Sequence, residues 1–146
     1  MKRSTTGLLL VTAQVLLCVA LLWLGWRGVM KFPWLWIGVV MGGAVLVTAV
    51  VTMRMSHVRV HPEPGEKAEL CERGIYGHIR HPMYAGVLLA FAMFAMGAGW
   101  IGAVLWLGLL FVLLAKLRIE ERLWSERDAG YVDYRKRTKR LFPGIW

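Results

Sequence analysis

MYAGVLLAFAMFAMGAGWIGAVLWLGLLFVLLA, residues 83–115, carries no charged side chain from end to end. A helix crossing a hydrocarbon core of about 30 Å needs roughly 20 apolar residues, so this run is too long for one crossing. GAGW (97–100) lies near its middle, and Gly97 and Gly99 suit a tight turn. The run therefore reads as two helices in a hairpin. The first arm, Pro82 to Met96, has about 15 residues, or roughly 22 Å at the helical rise. It falls short of a full crossing, so either it starts below the headgroups or the bilayer thins around it. Residues at its start become candidates for a site sunk into one leaflet.

Upstream stand two further apolar runs, GLLLVTAQVLLCVALLWLGW (7–26) and PWLWIGVVMGGAVLVTAVVTM (33–53), each free of formal charge and long enough to span. Hydrophobic residues make up 58% of the 146-residue chain. Ordinary soluble domains hold roughly 45–50%, so a membrane class follows. The expected fold is all-α: four transmembrane helices at about 7–26, 33–53, 82–97 and 100–127, the last two a hairpin, with a helical extension after them. The whole chain, 1–146, reads as one domain without internal repeats or low-complexity segments.

Charge sets the expected orientation. All nine acidic residues and 16 of the 18 basic ones lie in the N-terminus, the 54–81 loop or the tail after Ala115; only Arg27 and Lys31 lie in the first hairpin turn. The positive-inside rule then places both termini and the 54–81 loop in the cytoplasm. The net charge of +9 is on this reading a topology signal and an attraction to anionic membrane lipids, not a sign of nucleic acid. MKR before an apolar run resembles a signal peptide, but LLWLGW offers no small-residue cleavage site, so the segment stays as the first helix. Cys18 falls within lipid and Cys71 on the cytoplasmic side, a placement that suits neither a disulfide nor a metal motif.

In such a chain, chemistry belongs where polar groups gather at one end of the bundle. HPEPGEKAELCERGIYGHIRHPMY (61–84) and KLRIEERLWSERDAGYVDYRKRTKRLFPGIW (116–146) are the two such segments. Pro62, Pro64 and Gly65 make the first begin as a loop, and Gly74 permits a turn. Pro82 suits the first helical position, which puts His81 near the cap and leaves the N–H groups of Met83 and Tyr84 to favour an anion. His81 and Tyr84, three apart, share a helix face. In the second segment Glu120 and Glu121 arrive barely a turn beyond Ala115. Paired carboxylates so near lipid need solvent, a partner or a cation.

Each feature also has a plain structural explanation. Arg80 and His81 suit snorkelling to headgroups, with Tyr84 in the interfacial aromatic belt. Lys116 and Arg118 are spaced to pair along the helix with Glu120 and Glu121. RKRTKR (135–140) suits a phosphate-seeking surface patch beside Tyr131 and Tyr134.

Taken together, GIYGHIRHPMYAG, then EERLW after a helical hairpin, then GYVDYRKRTKRLFPGIW resemble the isoprenylcysteine carboxyl methyltransferase family. Its wider superfamily includes the phospholipid N-methyltransferases. The resemblance covers about residues 58 to 146 and is to the short, four-helix members. It implies a membrane-embedded methyltransferase that uses S-adenosylmethionine, bound on the cytoplasmic side by segments 68–84 and 116–134. Carried over by residue, Leu70 and Cys71 would meet the cofactor through backbone, and Tyr76, His81, Pro82, Met83 and Tyr84 would cradle it. The glutamate pair falls on Glu120 and Glu121. A basic residue before that pair would hold a substrate carboxylate, with Lys116 favoured by spacing and Arg118 second. The family usually has arginine there, and RDAGY (127–131) replaces a common Phe-Gly before the first tyrosine.

The resemblance further implies a lipophilic methyl acceptor, a carboxylate in the first instance and a phospholipid amine in the alternative. No soluble-type Gly-rich cofactor motif follows a strand. Two other classes fit the same topology: a non-enzymatic membrane scaffold, and a reductase binding a nicotinamide cofactor. The acceptor itself and the oligomeric state are not readable from helix faces so uniformly apolar, although Gly38, Gly42 and Gly43 permit close helix contact.

Overall fold

The structure is a computed structural model and describes residues 5–53 and 70–142. Five α-helices follow in order: α1 (Thr5–Lys31), α2 (Leu35–Met53), α3 (Pro82–Gly97), α4 (Gly99–Arg127) and the short α5 (Tyr131–Arg137), with a 3₁₀ turn at Gly74–Gly77. The expected helices are all present. The first is longer than the expected 7–26, because the chain winds on through Arg27 to Lys31 before Pro33 ends it. No strand is seen among the described residues; a parallel bridge joins Ile79 and Lys139. The proline-rich loop expected at 61–65, the start of the 68–84 segment and the closing Pro143 lie outside the described residues.

Why the chain turns where it does is local. Gly99 has φ +68° and Gly74 φ +55°, left-handed values that L side chains rarely adopt. Gly99 thus lets α3 reverse directly into α4, as GAGW implies, and Gly74 lets the chain bend into the 3₁₀ turn. Pro82 is the first residue of α3, with His81 as its N-cap residue.

The shortest of the four long helices is the central one. α3 packs against α1, α2 and α4. Close approach requires glycine at these crossings: a Cβ on Gly97 would stand 2.6 Å from Gly25 O, and one on Gly86 2.8 Å from Gly42 O. Small residues give such helices backbone-level van der Waals contact, which replaces the hydrophobic drive that lipid removes. From α4, Trp106 donates its Nε1–H to Leu88 O at 2.9 Å.

Outside this seam the helices are apolar and uncovered. Leu9, Trp23, Val40, Val51, Trp100 and Phe111 are among many large side chains exposed. Only 11% of the most apolar window of α1 is buried within the bundle, so that surface is covered by lipid. α1, α2 and α4 are long and apolar enough to cross a membrane. α3 has 16 residues, about 24 Å at the helical rise. The protein is an integral membrane protein with three helices of spanning length and a shorter fourth at their centre.

Candidate functional site

The buried stripe of α4 runs Gly102, Leu109, Leu113, Lys116, Leu117, Glu121. The intervals of three, four and seven keep one face inward, so the stripe carries its apolar residues up to Leu117 and then delivers charge to the same face. Lys116 is 1% and Glu121 5% exposed. Arg118, about 200° around the axis from Lys116, is exposed. The structure therefore brings Lys116 into the bundle and leaves Arg118 outside it.

At the start of α3, the His81 and Tyr84 rings stack with centroids 5.5 Å apart and planes 4° from parallel. The Tyr84 hydroxyl donates to Glu120 Oε1 at 2.6 Å. His81 Nδ1 lies 3.3 Å from Glu120 Oε2. Its Nε2 lies 3.7 Å from Glu121 Oε1, beyond hydrogen-bond reach, and is a buried polar atom without a hydrogen-bond partner among the described residues. Burial works against the imidazolium, but the neighbouring carboxylates of Glu120 and Glu121 outweigh it, so the His81 pKa stands above its ordinary value.

The two glutamates do different jobs. Arg80 Nε donates to Glu121 Oε1 at 2.7 Å, with both side chains 6% exposed, and Arg140 Nε lies 3.2 Å from Glu121 Oε2. Arg80 Nη1 also donates to Arg135 O at 3.0 Å and to Thr138 O. Glu121 is committed to holding the chain together, whereas Glu120 faces the aromatic pair. Arg80 is thus no headgroup snorkel, and the pairing of Glu121 crosses elements instead of following α4. The RKRTKR stretch is only partly a surface patch. Arg80 N–H donates to Lys139 O at 2.7 Å, His81 N–H to Arg140 O at 3.0 Å and Lys139 N–H to His78 O at 3.0 Å, a backbone ladder that straps the tail over the helix start.

That first turn is also less open to an anion than the sequence implies. The Tyr84 N–H turns back to His81 O at 3.1 Å, so it is not free for a ligand. Pro82 is fully buried, and Met83 is half-buried.

Tyr76 packs beneath the site, 4% exposed, its hydroxyl 3.9 Å from Met53 Sδ at the end of α2. Its carbonyl accepts the Tyr134 hydroxyl at 2.7 Å. Burial raises the pKa of Tyr76, Tyr131 and Tyr134 well above the ordinary phenol value, so all three stay protonated donors at neutral pH. Leu70 and Cys71 are half-buried, with Cys71 Sγ 3.8 Å from Thr52 O. The cluster thus joins residues from the 70–84 segment and from α4, with the tail closing over them.

One residue escaped the sequence reading. Gln14, inside α1, accepts from Lys116 Nζ at 2.6 Å, and the same Nζ lies 5.3 Å from the Tyr84 ring centroid. The available signal was a lone carboxamide in an otherwise apolar span.

A lipid-facing helical bundle with ionisable, hydrogen-bonded side chains gathered at one end defines an integral membrane protein with a polar site at its boundary. The chain belongs to the isoprenylcysteine carboxyl methyltransferase family, whose model matches residues 34–126, and is by that membership a membrane methyltransferase. The match takes in α2, RHPMY and the glutamate pair, and it stops before Tyr131 and the tail. No curated protein and no solved structure matches the chain.

Proposed function

We propose that the protein transfers a methyl group from S-adenosylmethionine to a carboxylate on a lipophilic acceptor, at the cytoplasmic boundary of the membrane. The observation that carries this reading is the meeting of Tyr84 with Glu120 at 2.6 Å, beside a His81 ring nitrogen that is buried without a hydrogen-bond partner. An orphaned buried nitrogen is costly unless a polar ligand satisfies it, and a carboxylate, a phenol and an imidazole together suit the amino, hydroxyl and base groups of a nucleoside amino acid.

When bound, S-adenosylmethionine supplies an electrophilic methyl group on a sulfonium. Glu120, His81, Tyr84 and Tyr76, with backbone at Leu70 and Cys71 and the Pro82–Met83 turn, are the residues to hold it. The Tyr84 hydroxyl sets the rotamer of Glu120. Glu121 is a positioning residue: pinned by Arg80 and Arg140, it locks α4 against the start of α3 and so keeps Glu120 in register. A carboxylate nucleophile needs no general base, so the side chains act through orientation and exclusion of water. The cation of Lys116 inside the bundle favours an anionic acceptor over a phospholipid amine, which would have to lose a proton first.

The charge distribution supports four crossings with both termini in the cytoplasm, α3 making its crossing with local thinning of the bilayer. Titration calorimetry of the detergent-purified protein with S-adenosylhomocysteine tests the cofactor. Binding lost in His81→Ala and Glu120→Ala is the expected result; a folded wild type that takes up none overturns the reading. Labelled methyl groups released from membrane-extract products as methanol by mild base would identify esters, and base-stable label would point to amines instead.

A further inference from the structure

The polar cluster occupies one end of the bundle, and a second concave feature lies at the other. Gly25 and Gly28 of α1 back onto Phe94 and Gly97, in the last turn of α3, whereas His81 precedes the first. The 16 residues of α3 set these two levels about 24 Å apart at the helical rise. At the far level Val19, Leu22, Trp23, Trp26 and Arg27 line an open groove of about 430 Å³. Their spacing puts them on one face of α1, away from the buried Leu21, Gly25 and Val29. A volume of this size falls within the roughly 300–1,000 Å³ of small-ligand sites.

Trp26 stands edge-on to Trp36 of α2, with ring centroids 6.1 Å apart and planes at 87°, so a second helix braces it. Trp23 is 80% exposed. Among the described residues, neither indole N–H nor the Arg27 guanidinium has a hydrogen-bond or ion-pair partner. No acidic residue precedes Glu63 in the chain. Lys31, one helical turn beyond Arg27, adds a second cation on the same side, its Nζ 5.4 Å from the Phe32 ring centroid. An interfacial aromatic belt accounts for the tryptophans with no preference among lipids. It does not account for two cations, without a carboxylate to answer them, beside a groove.

We propose that this groove binds one anionic phospholipid, its phosphate on Arg27 and an acyl chain laid along Val19, Leu22 and Trp23. The guanidinium fork matches phosphate oxygens in pairs, and the indole N–H groups add neutral donors at headgroup depth. Two cations with no acidic neighbour favour a net-negative head over a zwitterionic one, whose ammonium would find no carboxylate here. The site is separate from the methyl-transfer cluster and independent of the cofactor and acceptor assigned to it.

Native mass spectrometry of the full chain in detergent, titrated with phosphatidylglycerol or phosphatidylcholine, reads the affinity of the first lipid bound. Wild type is expected to prefer phosphatidylglycerol by about tenfold, and Arg27→Gln to lose that preference. Trp23→Leu keeps every charge but removes the groove wall, so it should weaken phosphatidylglycerol binding as well. Lys136→Gln deletes an exposed cation outside the groove and should leave the affinity unchanged. Arg27 and Trp23 are both exposed, so melts by circular dichroism should match wild type in all three variants. Glycerol phosphate in excess should fail to displace the lipid, because the head group alone leaves the groove empty. Equal affinity for the two lipids, or equal losses in Arg27→Gln and Lys136→Gln, overturns the site. Full affinity in Trp23→Leu would reduce it to general charge attraction, and displacement by glycerol phosphate to a site for free phosphate; either result overturns the proposal.

Discussion

Arg80 and Glu121 stand 41 residues apart in the chain, and their side chains meet at 2.7 Å. The pair is almost wholly buried, 6% exposed on each side, and it joins the turn before α3 to the inner face of α4. Removing one partner of a buried pair leaves the other desolvated and uncompensated, at a cost of about 3–5 kcal/mol. Glu121→Ala is expected to lower the thermal midpoint of the detergent-solubilised protein sharply. Thermal unfolding followed by circular dichroism checks it; an unchanged midpoint would show the pair to be dispensable.

Glu120 should behave differently from its neighbour. Glu120→Gln keeps an oxygen for the Tyr84 hydroxyl and removes only the charge, so the fold should survive. Hydrogen bonds to charged groups are worth about 1.5–3 kcal/mol, or roughly 10- to 150-fold in affinity. Affinity for S-adenosylhomocysteine should drop within that range, and calorimetry on a sample of wild-type stability reads it.

Tyr84→Phe separates the hydroxyl from the ring. The stack on His81 and the contact with Lys116 remain, while Glu120 loses its donor. Weaker cofactor binding with a smaller loss of stability than in Glu121→Ala is expected from parallel calorimetry and thermal melts.

His81 makes stability depend on pH. Its pKa is raised in the folded protein, so the charged form binds its proton more tightly there than in the unfolded chain. The contribution is complete below the unfolded value near 6.5 and is lost as pH rises through the higher folded value. Melting temperature should therefore fall as pH climbs from about 6 upward, the ordinary histidine range. His81→Asn should flatten that slope, and a set of melts in matched buffers measures both.

Two glycines on neighbouring helices should respond oppositely. A Cβ on Gly25 would run into the backbone of Phe94, whereas one on Gly43 would meet nothing within 4 Å. Gly25→Ala is expected to cost about 1–3 kcal/mol by overpacking. Gly43→Ala should be neutral or gain up to about 1 kcal/mol from helix propensity. Unfolding in graded denaturing detergent ranks the two.

Much of this was legible in the primary structure because its causes are local. Apolar runs bounded by charge mark helices, GAGW marks a reversal because only glycine accepts the left-handed turn cheaply, and Pro82 marks a helix start. RHPMY and the glutamate pair carried the family. What the chain could not declare was the division of labour inside the pair. Glu120 and Glu121 are adjacent and chemically identical, and only the packing of α4 turns one toward Tyr84 and the other toward Arg80 and Arg140. The strap formed by residues 138–140 was hidden for the same reason, since a basic run reads as solvated until a backbone ladder captures it.

Gln14 marks the boundary most clearly. Sequence alone determined that residues 7–26 form a helix bound for lipid, because length and apolarity suffice for that. It held no phase information, since a helix apolar on every side does not say which face turns inward. Only the close crossing of backbones at Gly25 and Gly97 sets the rotation of α1, and that rotation is what carries a lone carboxamide to a lysine a hundred residues away.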